Sequence, residues 1–172
     1  NSSTTGNKNT KKPTQKKTSS NASVDWIEKK LDRLQKKIDA TKSKFDNLFT
    51  VKKKANNIDT QISQTEALLK ATEKAAKKYK QYADKAELSK DLKKKVRDGD
   101  YNISDYSSGT ADAINKYEGY YNKYKDLQKQ AEELETDIRK KEEEKYRLYV
   151  DQADAKLEKS EAEAELVGKT YK

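Results

Sequence analysis

From Ile27 onward, apolar residues return at alternating steps of four and three, in a chain of 172 residues of which 40% are charged and only 31% hydrophobic. Few folds are open to such a sequence. A repeat of about 3.5 residues draws a narrow apolar stripe along an α-helix, and helices so marked pair along the stripe or leave it wet. So little apolar material excludes a thick globular core; it suffices for thin seams between helices with charge on every outer face. The first run is Ile27, Leu31, Leu34, Ile38, Thr41, Phe45 and Leu48. It slips at LFTVKKKANN, where Lys52 takes the next position, and resumes in shifted register at Ile58, Ile62, Thr65, Leu69, Thr72, Ala76, Tyr79, Ala83 and Ala86. A slip of this kind marks a change of winding or a break in the helix.

A second disturbance follows at AELSKDLKKKV, where Leu88, Leu92 and Val96 leave the previous phase. Ser89 is placed to cap a short helix of its own, and Lys93, Lys94, Lys95 and Arg97 crowd the end where the helix dipole favours cations. Gly99 supplies a left-handed stop. The stretch DGDYNISDYSSG then reverses the chain, with Tyr101, Ile103 and Tyr106 predicted to fold back over the end of the seam. A second run continues through Ala113, Tyr117, Tyr120, Tyr124, Leu127, Ala131, Leu134 and Ile138, and is weakened further on by Lys141, Lys145, Gln152 and Lys159.

The predicted fold is therefore all-α, an elongated antiparallel helical hairpin or coiled coil. Residues 1–23 read as a disordered basic linker, 24–98 as a first helical arm with breaks near 49–52 and 87–89, 99–109 as the reversing turn, 110–167 as the second arm and 168–172 as a frayed tail. A helix rises about 1.5 Å per residue, so a straight first arm would reach roughly 110 Å. Through Arg97 the chain holds 26 Lys and Arg against 11 Asp and Glu; after it the counts are 13 and 19. Arms of opposite sign favour lying side by side, although each surface pair contributes only about 0.3–0.5 kcal/mol.

Chemistry has little to work with. The chain contains no cysteine and no histidine, which removes disulfides, thiolate nucleophiles and the usual proton shuttle. VGKT, Val167 to Thr170, lacks the glycine that a phosphate loop needs five residues before its Gly-Lys pair; Glu163 stands there. The acidic run from Glu132 to Glu144 spreads its carboxylates over several helix faces among lysines and reads as a solvated surface. Eleven tyrosines are unusual, and Tyr117, Tyr120, Tyr121 and Tyr124 cluster in INKYEGYYNKYKDLQKQ. Rings beside lysines suit base stacking, but three of these four fall on the seam, where packing is the simpler use. No catalytic residue, metal ligand, cofactor or small-molecule substrate is predicted. No apolar run approaches the ~20 residues that span a bilayer, and membrane contact stays open. The chain also contains no methionine, not even at its start, and reads as a piece of a longer polypeptide.

Three stretches carry a resemblance: DWIEKKLDRLQKKID (Asp25 to Asp39), TQISQTEALLKATEKAAKKYKQYADKAELSKDLKKKVRDGDYNIS (Thr60 to Ser104) and INKYEGYYNKY (Ile114 to Tyr124). In that order they are similar to the DWIE helix, the KAYxxYxxxAxxxxLS segment, the VxxGxxNI turn and the YxxYY helix of tail tape measure proteins of long-tailed bacteriophages and prophages of Firmicutes. Here the middle element reads KKYKQYADKAELS and the turn is Val96, Gly99, Asn102 and Ile103. The resemblance runs from Asp25 to about Ala164. It implies a virion structural protein, assembled in the bacterial host cytoplasm, around which tail tube and assembly proteins gather and whose length sets tail length. It carries over no catalytic residue. Two further readings stand beside it: a bacterial surface or secreted coiled-coil interaction protein, and a helical protein that binds nucleic acid without sequence preference. The polar seam positions beyond Ile138 point to an incomplete interface and so to a second copy of the chain as a partner.

Overall fold

A computed structural model describes residues 19–45 and 48–170, with side chains from Val24 to Lys169 outside that gap. Four helices are described: α1 Ser19–Lys44, α2 Val51–Asp84, α3 Lys90–Asp98 and α4 Ser108–Thr170. One turn of 3-10 helix, Ile103–Asp105, precedes α4, and no strand occurs among the described residues. The class is all-α, with helices packed in hairpin fashion. They divide between two compact units, the first holding residues up to Arg33 with Ala71–Gln130, the second Leu34–Lys70 with Ala131 onward.

The disordered linker predicted over 1–23 lies outside the described residues as far as 18, and its last five residues are helical instead. Ser23 and Asp25, of residue types that often cap helices, sit inside α1. Glu28 is engaged by tertiary partners: Tyr79 donates to its carboxylate at 3.1 Å and Lys123 approaches to 3.5 Å.

In the second unit, the six residues from Phe45 to Thr50 join two helices that touch. Gln64 donates its amide to the Thr41 hydroxyl at 2.7 Å across 23 residues of chain. Helices linked so briefly and in contact run antiparallel. The slip at LFTVKKKANN is thus a reversal: Thr50 accepts the Lys53 N–H at 3.2 Å and starts α2, while Phe49 stands 87% exposed beside it. A straight first arm of 24–98 is not what forms. The same reversal explains the Glu28–Tyr79 contact in the first unit, where the partners are 51 residues apart.

Each unit consequently contains α1, α2 and α4 side by side, and α2 touches both neighbours. A helix between two others must bury a wider face than a two-helix seam requires. In the second unit α2 buries Ala55, Ile58, Gln61, Thr65 and Leu68; in the first, Thr72, Ala75, Ala76, Tyr79 and Ala83. Leu68 is the more deeply buried of the leucine pair, and Leu69, the predicted seam residue, is half-buried.

Local chemistry fixes the other corners. Ser89 accepts the Leu92 N–H at 3.1 Å and opens α3, and Lys93 donates to the Asp84 carbonyl at 2.8 Å, satisfying the end of α2. Gly99 sits at φ 73° and closes α3: its N–H donates to the Val96 carbonyl at 3.1 Å, and the Asp100 N–H donates to Lys95 at 2.8 Å. Lys94 bonds Asp98 at 2.7 Å and holds that carboxyl below its ordinary range. The loop that follows is pinned by Asn102, whose side chain accepts from the Ser104 N–H. Tyr101 and Tyr106 pack inward, but Ile103 is 39% exposed. The predicted three-residue plug is therefore two tyrosines: the Asn102 cap sets a single tight turn whose first residue, Ile103, faces solvent.

α4 opens with Ser107, whose hydroxyl accepts the Thr110 N–H at 3.3 Å. Two of its weak seam positions are filled by lysine stems with paired heads, Lys141 to Asp137 at 2.6 Å and Lys145 to Asp59 at 2.7 Å. The bond to Asp59 raises the pKa of Lys145. Beyond Gln152, every described side chain of α4 is exposed.

Candidate functional site

The most concentrated arrangement of polar and aromatic groups is the tyrosine cluster of the first unit. Its floor is Ile27, Ala75, Ala76, Tyr79 and Leu127 toward one end and Ala83, Val96, Ile114 and Tyr117 toward the other. These residues meet because the short α3 brings Val96 over Ala83, while α4 lays a tyrosine-bearing face along α2. Tyr79, Tyr82 and Tyr120 form a triangle with ring centroids 5.4–6.3 Å apart. Tyr121 stacks on Tyr117 at 5.9 Å and 19°, and meets Tyr124 at 5.9 Å on its other side.

Four of the hydroxyls are engaged. Tyr79 donates to Glu28, Tyr101 donates to Glu118 at 2.8 Å, the Arg97 guanidinium donates to the Tyr117 oxygen at 2.7 Å, and Gln128 donates to Tyr124 at 2.8 Å. Cations take up ring faces: Lys93 lies 5.8 Å from the Tyr117 ring, and Arg97 and Lys125 lie 5.8 and 5.9 Å from that of Tyr121. The cluster is thus an interlocked packing device whose polar tips are tied to neighbouring helices.

Burial, then the adjacent Glu28 carboxylate, push the Tyr79 phenol well above its ordinary value; the bond to Glu118 raises Tyr101 in the same direction. A phenol whose folded pKa is raised holds its proton more tightly in the native state. Its contribution is complete below the unfolded value, about 10, and is lost as pH rises beyond it. The urea midpoint of the first unit, followed by the emission of Trp26, therefore falls as pH rises above about 10, and Tyr79→Phe flattens that fall. At neutral pH the same substitution costs about 0.5–1.5 kcal/mol for the lost bond to Glu28. Parallel alkaline profiles for the two proteins would contradict the assignment.

Of the predicted seam residues, Ile27, Ile38, Ile58, Tyr79, Tyr117 and Leu127 are buried; Leu31, Leu34, Phe45, Ile62, Leu69, Tyr120, Tyr124, Leu134 and Ile138 are half-buried. The first unit collects Ile27, Leu31, Tyr79, Tyr117, Tyr120, Tyr124 and Leu127 in one region, with Tyr101 and Tyr106 at its edge. The others fall in the second unit. Sequence reasoning passed over Ile114, which is wholly buried, and assigned Ala113 to the seam instead. It also missed the roles of Glu28 and Glu118 as phenol acceptors, which nothing in their local sequence announces.

Among the described residues, no group of three or more His, Cys, Asp or Glu is placed to hold a metal ion. None of their helices is long and apolar enough to cross a membrane. The first unit also carries an open groove of about 450 Å³ between α1 and α2, lined by Trp26, Ile27, Lys30, Leu31, Ala71, Lys74, Ala75, Lys78 and Tyr82. Comparison of the chain with protein-family models, with curated proteins and with solved structures returned no match.

Proposed function

We propose that this chain is a structural helical segment of a phage tail tape measure protein, a scaffold and ruler for tail tube assembly. One observation carries the reading: most of the apolar and aromatic motif residues on which the resemblance rests pack within the first unit, the exposed Trp26 and Ile103 being the exceptions. Ile27 of the DWIE helix, Tyr79, Tyr82 and Ala86 of the middle element, Val96 of the turn and Tyr117, Tyr120, Tyr121 and Tyr124 of the tyrosine helix all belong to the clusters of the first unit. Gly99 of the same turn is the left-handed residue that lets α3 stop. A motif composed of packing and turn residues encodes a shape requirement and not a reaction, which is what a ruler needs.

On this reading the segment works by occupying length. A helix advances about 1.5 Å per residue, so the length of each helix, α4 above all, is set by its residue number. Its partners are tail tube and assembly proteins and its location is the virion. The test is an in-frame duplication of the coding segment for residues 25–164 in the phage or prophage that encodes it, with tail lengths measured by electron microscopy. Longer tails are expected, by an increment that is uniform across particles. Tails of unchanged length in particles that incorporate the longer protein would overturn the reading.

A further inference from the structure

Among the described residues, the α1–α2 pair of the first unit is covered by α4 on one side only. Leu127, Tyr120 and Tyr124 pack against Ile27 and Tyr79 there. No residue of α4 lines the groove of about 450 Å³ that the pair leaves uncovered. That groove is apolar at its base, with Ala75 buried and Ala71 half-buried, so a helix can approach the backbone closely. Trp26, the only tryptophan of the chain, lines it while 59% exposed. The charged residues lining it are Lys30, Lys74 and Lys78, with no acid among them. An exposed apolar trough with lysines along it fits the apolar face of an acidic amphipathic helix.

The chain carries such a helix. From Val150 through Ala153, Leu157, Ser160 and Ala164 to Val167, small and apolar residues step by three and four, and all of them are exposed. Leu157 and Val167 are 59% and 53% exposed. Between these two stand Glu158, Glu161, Glu163 and Glu165 against a single lysine, Lys159. The lengths agree as well: Leu157 to Val167 spans about 15 Å of helix, and the groove follows α2 from Ala71 to Tyr82, about 16 Å.

We infer that the groove of the first unit binds residues 157–167 of a second copy of this chain, Leu157 and Val167 covering Trp26 and the alanine base while the glutamates meet Lys30, Lys74 and Lys78. The contact is heterologous, groove to helix. It closes a dimer if the two copies exchange helices reciprocally and runs on as a chain of copies if they do not. The inference is independent of the tape measure reading, since it concerns only how copies of this chain meet.

Analytical ultracentrifugation of the chain from about 1 to 500 µM at low salt, with Trp26 emission recorded on the same samples, tests it. Expected are concentration-dependent association and a blue shift of Trp26 in step with it, both fading as salt is raised. The triple variant K30E/K74E/K78E and the triple variant E158K/E161K/E165K each lose association by at least ~10-fold alone and recover it when mixed. Truncation after Asp154, which removes only exposed described residues, abolishes association while leaving helicity per residue unchanged. A monomer at every concentration overturns the inference, whether or not an acidic helix of another protein fills the groove. So does association indifferent to both triple variants, or a Trp26 shift independent of concentration.

Discussion

Ile114→Ala lowers the stability of the first unit by about 2–4 kcal/mol, while Ile103→Ala, eleven residues earlier, changes it by less than about 0.5 kcal/mol. Both residues are isoleucines near the turn, and composition alone gives no reason to separate them. Packing does. Ile114 is wholly buried among Ala83, Val96 and Tyr117, drawn from α2, α3 and α4, so truncation opens a cavity where three helices meet. The lining cannot collapse into that space without moving α3, which its Ser89 cap and Gly99 stop hold at both ends. Ile103 is 39% exposed on a single 3-10 turn and loses little on truncation. The measurement is urea denaturation monitored by Trp26 emission, which reports on the first unit, beside far-ultraviolet circular dichroism. Equal costs at the two sites would mean that the turn packs as a three-residue plug after all.

That pair of residues also shows where sequence reasoning reaches and where it stops. Features set by one or two neighbouring residues were readable: Ser89 as a cap, Gly99 as a left-handed stop, and the slip after Leu48 as an interruption. Each depends on chemistry within a few residues along the chain. What the interruption does was not readable, because a slip in a heptad pattern looks the same for an underwound rod and for a reversal. Only the contacts of Thr41 with Gln64 and of Glu28 with Tyr79 decide it. From that one ambiguity the other differences follow. With α1 folded back on α2, α2 has two neighbours, so its buried face widens from the predicted Ile62 and Leu69 to take in Gln61 and Leu68. With α3 packed across the end of α2, α4 turns Ile114 inward, one position from the Ala113 that a two-helix seam selects. The tyrosine cluster was visible as a cluster, but its carboxylate and guanidinium partners lie between 17 and 51 residues away and left no mark in the local pattern.

Tyr117 gives the sharpest separation between the two uses that the sequence allowed for the tyrosines. Tyr117→Ala costs about 3–5 kcal/mol and Tyr117→Phe about 1 kcal/mol, each read from the urea midpoint of the Trp26 signal. The ring is 2% exposed, packs with Val96 and Ile114, and stacks on Tyr121, so its removal strips the centre of the cluster. The hydroxyl contributes far less. Its partner Arg97 is an exposed side chain that water can solvate when the phenol oxygen is gone, so no buried charge is stranded. A tyrosine kept for stacking on nucleic acid bases behaves in the opposite way: its ring stands free, its loss leaves stability almost unchanged, and binding is what suffers. The ratio of the Ala to the Phe cost therefore measures packing directly. A large ratio, together with retained helicity in the Phe variant, places Tyr117 in the fold; near-equal, small costs would return the cluster to the surface and remove the physical basis for treating the motif as a shape requirement.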